Sequence, residues 1–272
     1  PAANVVVSGS GTFSTITTAI GMQSASITFN QVNQWRVRAF RVFTGNIINA
    51  NKVTLGNNDA TVSIIQFGNT TTPTLAGTFD VAPTFDLGTG GQTITYLRTG
   101  NIRTTGPEVN PARTLVSMTY DNNDLATNQL NIAGGDITLT GTTAALALTN
   151  GRVITGSNTL ILSNTAGTTT RTAGLVDGNL RKSYSAAASK SFEVGSANGF
   201  SPVTVNVTAG TFPATFTVKA VQGPHPNFAN PSVALQRYWT VTNNAGGSTA
   251  DLTFNYLDPT DILTPADEAL FV

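Results

Sequence analysis

A three-residue unit recurs along the chain: a glycine, one variable residue and a β-branched residue. More than any other feature, this repeat narrows what the sequence can fold into. It stands at Gly45-Asn46-Ile47, Gly100-Asn101-Ile102, Gly135-Asp136-Ile137, Gly151-Arg152-Val153 and Gly174-Leu175-Val176, with spacings of 16 and 23 residues between the last three. Two copies run on into a second apolar stretch, Gly45 to Asn49 into Asn51-Lys52-Val53-Thr54-Leu55, and Gly151 to Thr155 into Asn158-Thr159-Leu160-Ile161-Leu162. Turn, short strand, turn, short strand is the cadence of a β-solenoid rung. A rung cannot bury its apolar face alone and must stack on its neighbours, at periods of about 20 to 30 residues. An antiparallel sandwich, with strands and turns every 8 to 12 residues or so, is the alternative for the same stretch.

Helix signals are nearly absent, apart from a possible turn at Pro265 to Leu270. Elsewhere no segment places apolar residues at i, i+3, i+4 and i+7 among good helix formers. Period-2 alternation is widespread, as in Val203-Thr204-Val205-Asn206-Val207, Phe216-Thr217-Val218 and Leu252-Thr253-Phe254-Asn255-Tyr256, and each run is bounded by turn-forming residues. After about Ser183 the strands lengthen, gain aromatics and are separated by Pro-containing turns, which suits a compact sandwich of about seven strands. The expected architecture is all-β: a β-solenoid-like domain over residues 1–182 followed by a β-sandwich domain over residues 183–272, with the seam near Ser185 to Ser189.

Composition excludes several classes of function. Charged residues make up 10% of the chain, against about a quarter in an average soluble domain, and 14 basic residues balance 14 acidic ones. Such a chain has no long-range field to attract nucleic acid or anionic lipid. The absence of cysteine rules out disulfides, thiolate catalysis and thiolate metal sites. Apolar runs such as Ala144 to Leu148 are far shorter than the roughly 20 residues of a membrane helix, so no membrane insertion is expected. The start Pro1-Ala2-Ala3-Asn4 is expected of a mature chain after removal of a signal peptide, although trimming would leave the same look.

One ordered set of segments resembles a known family. The run Thr149-Asn150-Gly151-Arg152-Val153-Ile154-Thr155-Gly156-Ser157-Asn158-Thr159-Leu160 is similar to the NGxxxTGxNTL segment repeated in large secreted surface proteins of Bacteroidota and related bacteria. Gly174 to Leu180, Phe192-Glu193-Val194-Gly195, Ser201-Pro202-Val203-Thr204, Arg237-Tyr238-Trp239-Thr240 and Leu252 to Tyr256 follow in the same order, so the likeness spans about Thr149 to Asp261. The earlier segments Trp35-Arg36-Val37-Arg38 and Phe79 to Phe85 are similar to the region preceding that module. The resemblance implies a β-helix stalk joined to an immunoglobulin-like sandwich, in an exported surface or filament protein with no defined catalytic residues. Many such proteins end in a type IX secretion sorting domain, of which this sequence shows no sign.

The residues offer little for catalysis. The single histidine, His225, lies in the rigid Gly223-Pro224-His225-Pro226 loop and is expected at the surface or in packing. No nucleophile elbow, phosphate loop or His-Glu-x-x-His motif is present, so no catalytic residue, enzymatic activity or cofactor is expected. Calcium is the least implausible ion, with Asp121, Asn123 and Asp124 as its candidate ligands; Asp258 to Asp261 and Asn57-Asn58-Asp59 follow. Each cluster is also an ordinary turn signal and lacks the spaced acidic pattern of a calcium loop, so no bound metal is expected. Trp35, Arg36, Arg38, Phe40 and Arg41 have the chemistry of a glycan site, but their alternation reads as a strand with Trp35 and Val37 inward. Tyr238 and Trp239 read as sandwich core. Asn69 and Asn206 head acceptor triplets of a kind frequent by chance in so Asn- and Thr-rich a chain.

The leading expectation is a secreted or cell-surface structural protein, a self-assembling homopolymer subunit of a fibre, sheath or surface layer. Low charge, Thr/Asn-rich strands and open solenoid ends motivate it. Val5, Val6 and Val7, followed by a flexible Ser-Gly-Ser-Gly stretch, are the candidate assembly strand, with capping of its own solenoid as the equal alternative. The second class is a cell-surface adhesin or carbohydrate-binding module using exposed aromatics on surface glycans. A polysaccharide-degrading β-helix enzyme would need clustered carboxylates on one face, and the 14 acidic residues lie mostly in turns.

Overall fold

The structure, a computed structural model, describes residues 5–7, 20–30, 34–68, 76–97, 102–122, 129–231, 234–244 and 247–262. The turn expected at Pro265 to Leu270 lies outside them. The described residues are all-β, with helix reduced to short 3-10 turns such as Ala50–Lys52.

The first two thirds form a β-solenoid of about six turns. Its longest wall is a parallel sheet that takes its strands in chain order: Val5–Val7, Ile20–Phe29, Ala39–Ile48, Ser63–Phe67, Gln92–Leu97, Ser117–Asp121, Leu146–Asn150 and Thr169–Arg171. Strand register sets the rung length. Ile65 lies beside Ile94, Ile94 beside Met118, Met118 beside Leu146 and Leu146 beside Thr169, so successive rungs advance by 29, 24, 28 and 23 residues. A period-2 strand directs alternate side chains inward, and in-register parallel stacking turns those positions into columns. Ile65, Ile94, Met118 and Leu146 form one column, and Phe67, Tyr96, Tyr120 and Leu148 the next, all of them buried. Phe67 and Tyr96 stack with ring planes 9° apart and centroids 5.6 Å apart.

The opposite wall begins as a short parallel sheet of Trp35–Val37, Val53–Leu55 and Thr84–Phe85. It is taken over by Arg103–Thr104, Gln129–Asn131, Arg152–Leu162 and Leu175–Tyr184. The recurring glycine unit marks entry into this wall: Gly135, Gly151 and Gly174 directly precede or lead the strands that carry Ile137, Val153 and Val176. Gly45 instead lies within the strand Ala39–Ile48, and Gly100 falls outside the described residues. Arg152–Leu162 covers two positions of a rung, with a register shift between Ile154 and Thr159. Val153 stacks on Leu130 and Val176, whereas Leu160 stacks on Ile137 and Leu180.

Thr, Ser and Asn side chains close the corners of the rungs. Asn158 donates its side-chain amide to the Ile132 carbonyl at 2.9 Å, Asn164 to the Thr140 carbonyl at 3.0 Å and Asn179 to the Asn158 carbonyl at 3.1 Å. Thr140 and Ser163 hydroxyls donate to the Leu115 and Leu139 carbonyls. Short neutral side chains of the adjacent rung thus add bonds to backbone carbonyls at the corners, two of which, Leu115 and Leu139, also accept from backbone N–H groups. This accounts physically for a chain so rich in Asn and Thr and so poor in charge.

Strand direction changes at Leu175–Tyr184. One edge of this strand continues the parallel wall, and the other pairs antiparallel with Ala214–Gln222, which pairs in turn with Arg237–Asn243. The division expected between residues 182 and 183 falls inside this strand. A separate antiparallel sheet joins Ala188–Phe192, Val203–Ala209 and Thr249–Phe254, and a two-stranded ribbon joins Gly195–Ser196 to Gly199–Phe200. Tyr184 bridges the sheets: its hydroxyl donates to the Val205 carbonyl at 3.1 Å and its ring meets Phe216 edge-on at 5.8 Å. One hydrophobic cluster runs from Ile27 in the solenoid to Val203, Val205, Phe216 and Ala220, without a break at the turn of strand direction.

Candidate functional site

The interior column Leu115, Leu139, Leu162 is continued by Lys182, where the next apolar residue would stand. Lys182 is 4% exposed, and all three of its ammonium hydrogens have acceptors: Glu193 Oε2 at 2.7 Å, the Ser191 carbonyl at 2.7 Å and the Thr169 hydroxyl at 2.9 Å. Burial pushes the Lys182 amine below its usual range, against the opposing pull of Glu193. Beside it Lys190 donates to the Thr165 and Ser183 carbonyls, and its amine is lowered by burial and by the neighbouring Lys182. These groups line a cavity of about 350 Å³ where the last rung meets the antiparallel strands. Its charged walls are bonded to protein acceptors, so the arrangement ties the strand Leu175–Tyr184 to the loops on either side.

A second buried ion pair fastens the end of the described chain. Arg237 donates to Asp261 Oδ2 at 2.6 Å and Oδ1 at 3.2 Å, to Gln222 Oε1 at 2.6 Å and to the Ser196 hydroxyl at 3.2 Å, and both charged side chains are fully buried. Asp261 also accepts from the Leu257 backbone N–H at 2.7 Å. In the solenoid, Glu108 accepts from the Tyr96 hydroxyl at 2.8 Å, and Gln92 accepts from the side-chain and backbone amides of Asn110. Burial, with Glu108 beside it, holds the Tyr96 phenol well above its usual range, so it stays a donor. None of these networks was legible in the sequence. Asp261 sits in a run that reads as a turn, Lys182 lies in the strand Leu175–Tyr184, and their partners lie 24 and 11 residues away.

The residues singled out from the sequence are dispersed. Asp121 accepts from the Asn150 side chain at 3.0 Å, while Asn123 and Asp124 lie outside the described residues. Asp59 forms an ion pair with both terminal nitrogens of Arg38, which holds its carboxyl well below the usual range, and Arg36 pairs with Asp86. Among the described residues no group of three or more acidic or histidine side chains is placed to hold a metal ion. Trp35 packs edge-on against Phe29 at 5.8 Å and Phe40 is fully buried, whereas Arg41 is exposed. His225 accepts from the Asn227 N–H at 3.2 Å and meets the Tyr238 ring at 5.0 Å. Trp239 donates to the Ser201 carbonyl at 3.0 Å and touches Phe254 at 5.1 Å. Asn206 donates to Asp251, and Asn69 lies outside the described residues. No helix among the described residues is long and apolar enough to cross a membrane.

The first and last strands in chain order each end a sheet among the described residues. Among the described residues Val5–Val7 is the outermost strand of the long wall, parallel to Ile27–Phe29, with a neighbour on one side only. Thr249–Phe254 ends its own sheet beside Val203–Ala209. A scan against protein-family models and searches of curated proteins and of solved structures find no match.

Proposed function

We propose that this chain is an extracellular structural protein, the self-assembling subunit of a fibre, sheath or surface layer. The observation that carries this reading is a parallel solenoid whose long wall ends, among the described residues, on the strand Val5–Val7, followed by antiparallel strands of which Thr249–Phe254 is the outermost of a separate sheet. Exposed edges are templates for pairing with another chain, and stacked rungs extend without limit unless capped. Within this reading, the antiparallel strands that follow the solenoid are an immunoglobulin-like sandwich. Three strands from Leu175–Tyr184 to Arg237–Asn243 form one layer, and Ala188–Phe192, Val203–Ala209 and Thr249–Phe254 the other. The inter-sheet contacts of Tyr184 and Trp239 support it. Negative-stain electron microscopy of the purified protein at high concentration tests the assembly. Filaments or sheets are the expected result, and dispersed single particles under all conditions would refute it.

A second reading, a cell-surface adhesin or carbohydrate-binding module, is favoured by the exposed aromatics Phe228, Phe254 and Tyr256. Aromatic faces at a loop tip or strand edge suit sugar rings. A glycan array probed with folded protein decides it, and an array without hits would reject this reading.

A further inference from the structure

We propose that the strand Thr249–Phe254 of one copy docks on the N-terminal end of the solenoid of a second copy, against the open edge of its strand Val5–Val7, joining copies head to tail. The proposal rests on the self-assembly reading above and names the contact that would carry it. Among the described residues Thr249–Phe254 has a neighbouring strand on one side only, and it is exposed at five of its six positions. Natural edge strands are usually blunted by lysine, proline, an inward charge or a bulge. This one has neither lysine nor proline, Asp251 is its one charged residue, and the one irregularity in its pairing lies at its start, opposite Val207 and Ala209. Leu252 and Phe254 on it, and Tyr256 two residues past its end, are 40%, 40% and 39% exposed, and they make up half of the exposed large hydrophobic residues among those described. Through Phe254 the edge touches Trp239 on Arg237–Asn243, the terminal strand of the adjoining sheet, so two unpaired edges lie together.

Charge distribution selects the partner. The chain is neutral overall, but its charges are sorted by end. Residues 1–58 carry four basic side chains, Arg36, Arg38, Arg41 and Lys52, and no acidic one; residues 238–272 carry five acidic side chains and no basic one. Internal ion pairs absorb some of this, Arg36 with Asp86, Arg38 with Asp59 and Asp261 with Arg237. Arg41 remains exposed at one end, and Asp251 and Asp258 at the other. Arg41 lies on the third strand of the chain-ordered parallel wall, and Asp251 on the outermost strand of the separate antiparallel sheet that follows the last rung. An end-to-end contact therefore brings unlike charges together, whereas pairing two identical C-terminal edges would oppose like charges. A contact between two different surfaces of the same chain does not close on itself unless the rotation closes a ring, so it propagates.

The test is sedimentation velocity on the protein and two variants. Leu252→Lys/Tyr256→Lys blocks the tail, and Val6→Pro blocks the head whichever way the Val6 N–H points. Circular dichroism and melting curves establish that each is folded. Each variant alone should lose about tenfold or more in association, as one charge or proline suffices to protect an edge. An equimolar mixture should form dimers and nothing larger, because each variant keeps one working end. Salt at about 0.5 M should weaken association of the unmodified protein. If the unmodified protein assembles and either variant alone assembles equally well, the head-to-tail contact is wrong while self-assembly stands. Loss of assembly in the tail variant while the head variant still dimerises on its own also overturns it, in favour of tail-to-tail pairing, and loss in both variants with no dimers in the mixture overturns it as well. An unmodified protein that stays monomeric at every concentration removes both the contact and the self-assembly reading.

Discussion

Lys182 stands at an interior position where an apolar column of the solenoid ends on a charge, and its energetics follow from that position. Removing one member of a buried pair leaves the other charge desolvated and uncompensated, at a cost of about 3–5 kcal/mol; replacing both by apolar residues of similar volume is often close to neutral. Glu193→Ala should accordingly destabilise the fold strongly in urea titration, and Lys182→Met/Glu193→Leu should recover most of the loss. If the double variant is as unstable as the single, the polar tie itself is required. The pH dependence has a definite sign. The folded-state amine is depressed below its unfolded value of 10.5, so between the two values the unfolded chain binds more protons and stability rises with pH. In Glu193→Gln, which removes the group that raises the amine, that rise should begin at lower pH and be steeper in melting temperatures measured from pH 7 to 10. A flat profile would show Lys182 to be solvated. Gly68 is the matching case for the backbone. It sits at φ 73°, and an added Cβ would lie 1.8 Å from the Leu97 carbonyl oxygen of the next rung. Gly68→Ala should cost at least about 1–3 kcal/mol in the same titration.

At the scale of elements, the inner columns carry the burial and the corner amides carry the register. Ile94→Ala, in the middle of a column, should destabilise by about 2–5 kcal/mol, and hydrogen exchange should speed up in the flanking strands Ser63–Phe67 and Ser117–Asp121 together. Acceleration confined to Gln92–Leu97 would mean that the rungs are not coupled. Asn158→Ala, which deletes one side-chain bond to the rung below, should cost about 1 kcal/mol. The two kinds of element differ in how far the sequence discloses them. Period-2 alternation in Ser117–Asp121 or Val203–Ala209 shows directly in the burial pattern, because local sterics and one-sided burial set it. The Gly-x-β-branched unit located the turns into the second wall because a tight corner constrains one residue at a time. Register is different. Nothing local says that Ile137 stacks on Leu160 rather than on Val153, since that choice is made by contacts 23 residues away. The buried pairs Lys182–Glu193 and Arg237–Asp261 are hidden for the same reason, and a single charged residue in an alternating run gives no sign of whether it faces water.

For the molecule as a whole, the decisive feature is the strand Leu175–Tyr184, which belongs to the parallel stack on one edge and to the antiparallel strands on the other. One hydrophobic cluster continues across it, and the antiparallel strands that follow the last rung end, among the described residues, on Arg237–Asn243 and Thr249–Phe254. The sorting of basic residues toward the first rungs and acidic residues toward the last strands then gives a neutral molecule with two unlike ends. The most direct test of the account is a concentration series of the unmodified 272-residue protein in sedimentation velocity at low and high salt. The account predicts that the weight-average sedimentation coefficient climbs with concentration without reaching a plateau at the dimer, and that the climb is reduced by salt. A coefficient fixed at the monomer value over the whole series, at either salt concentration, would contradict it.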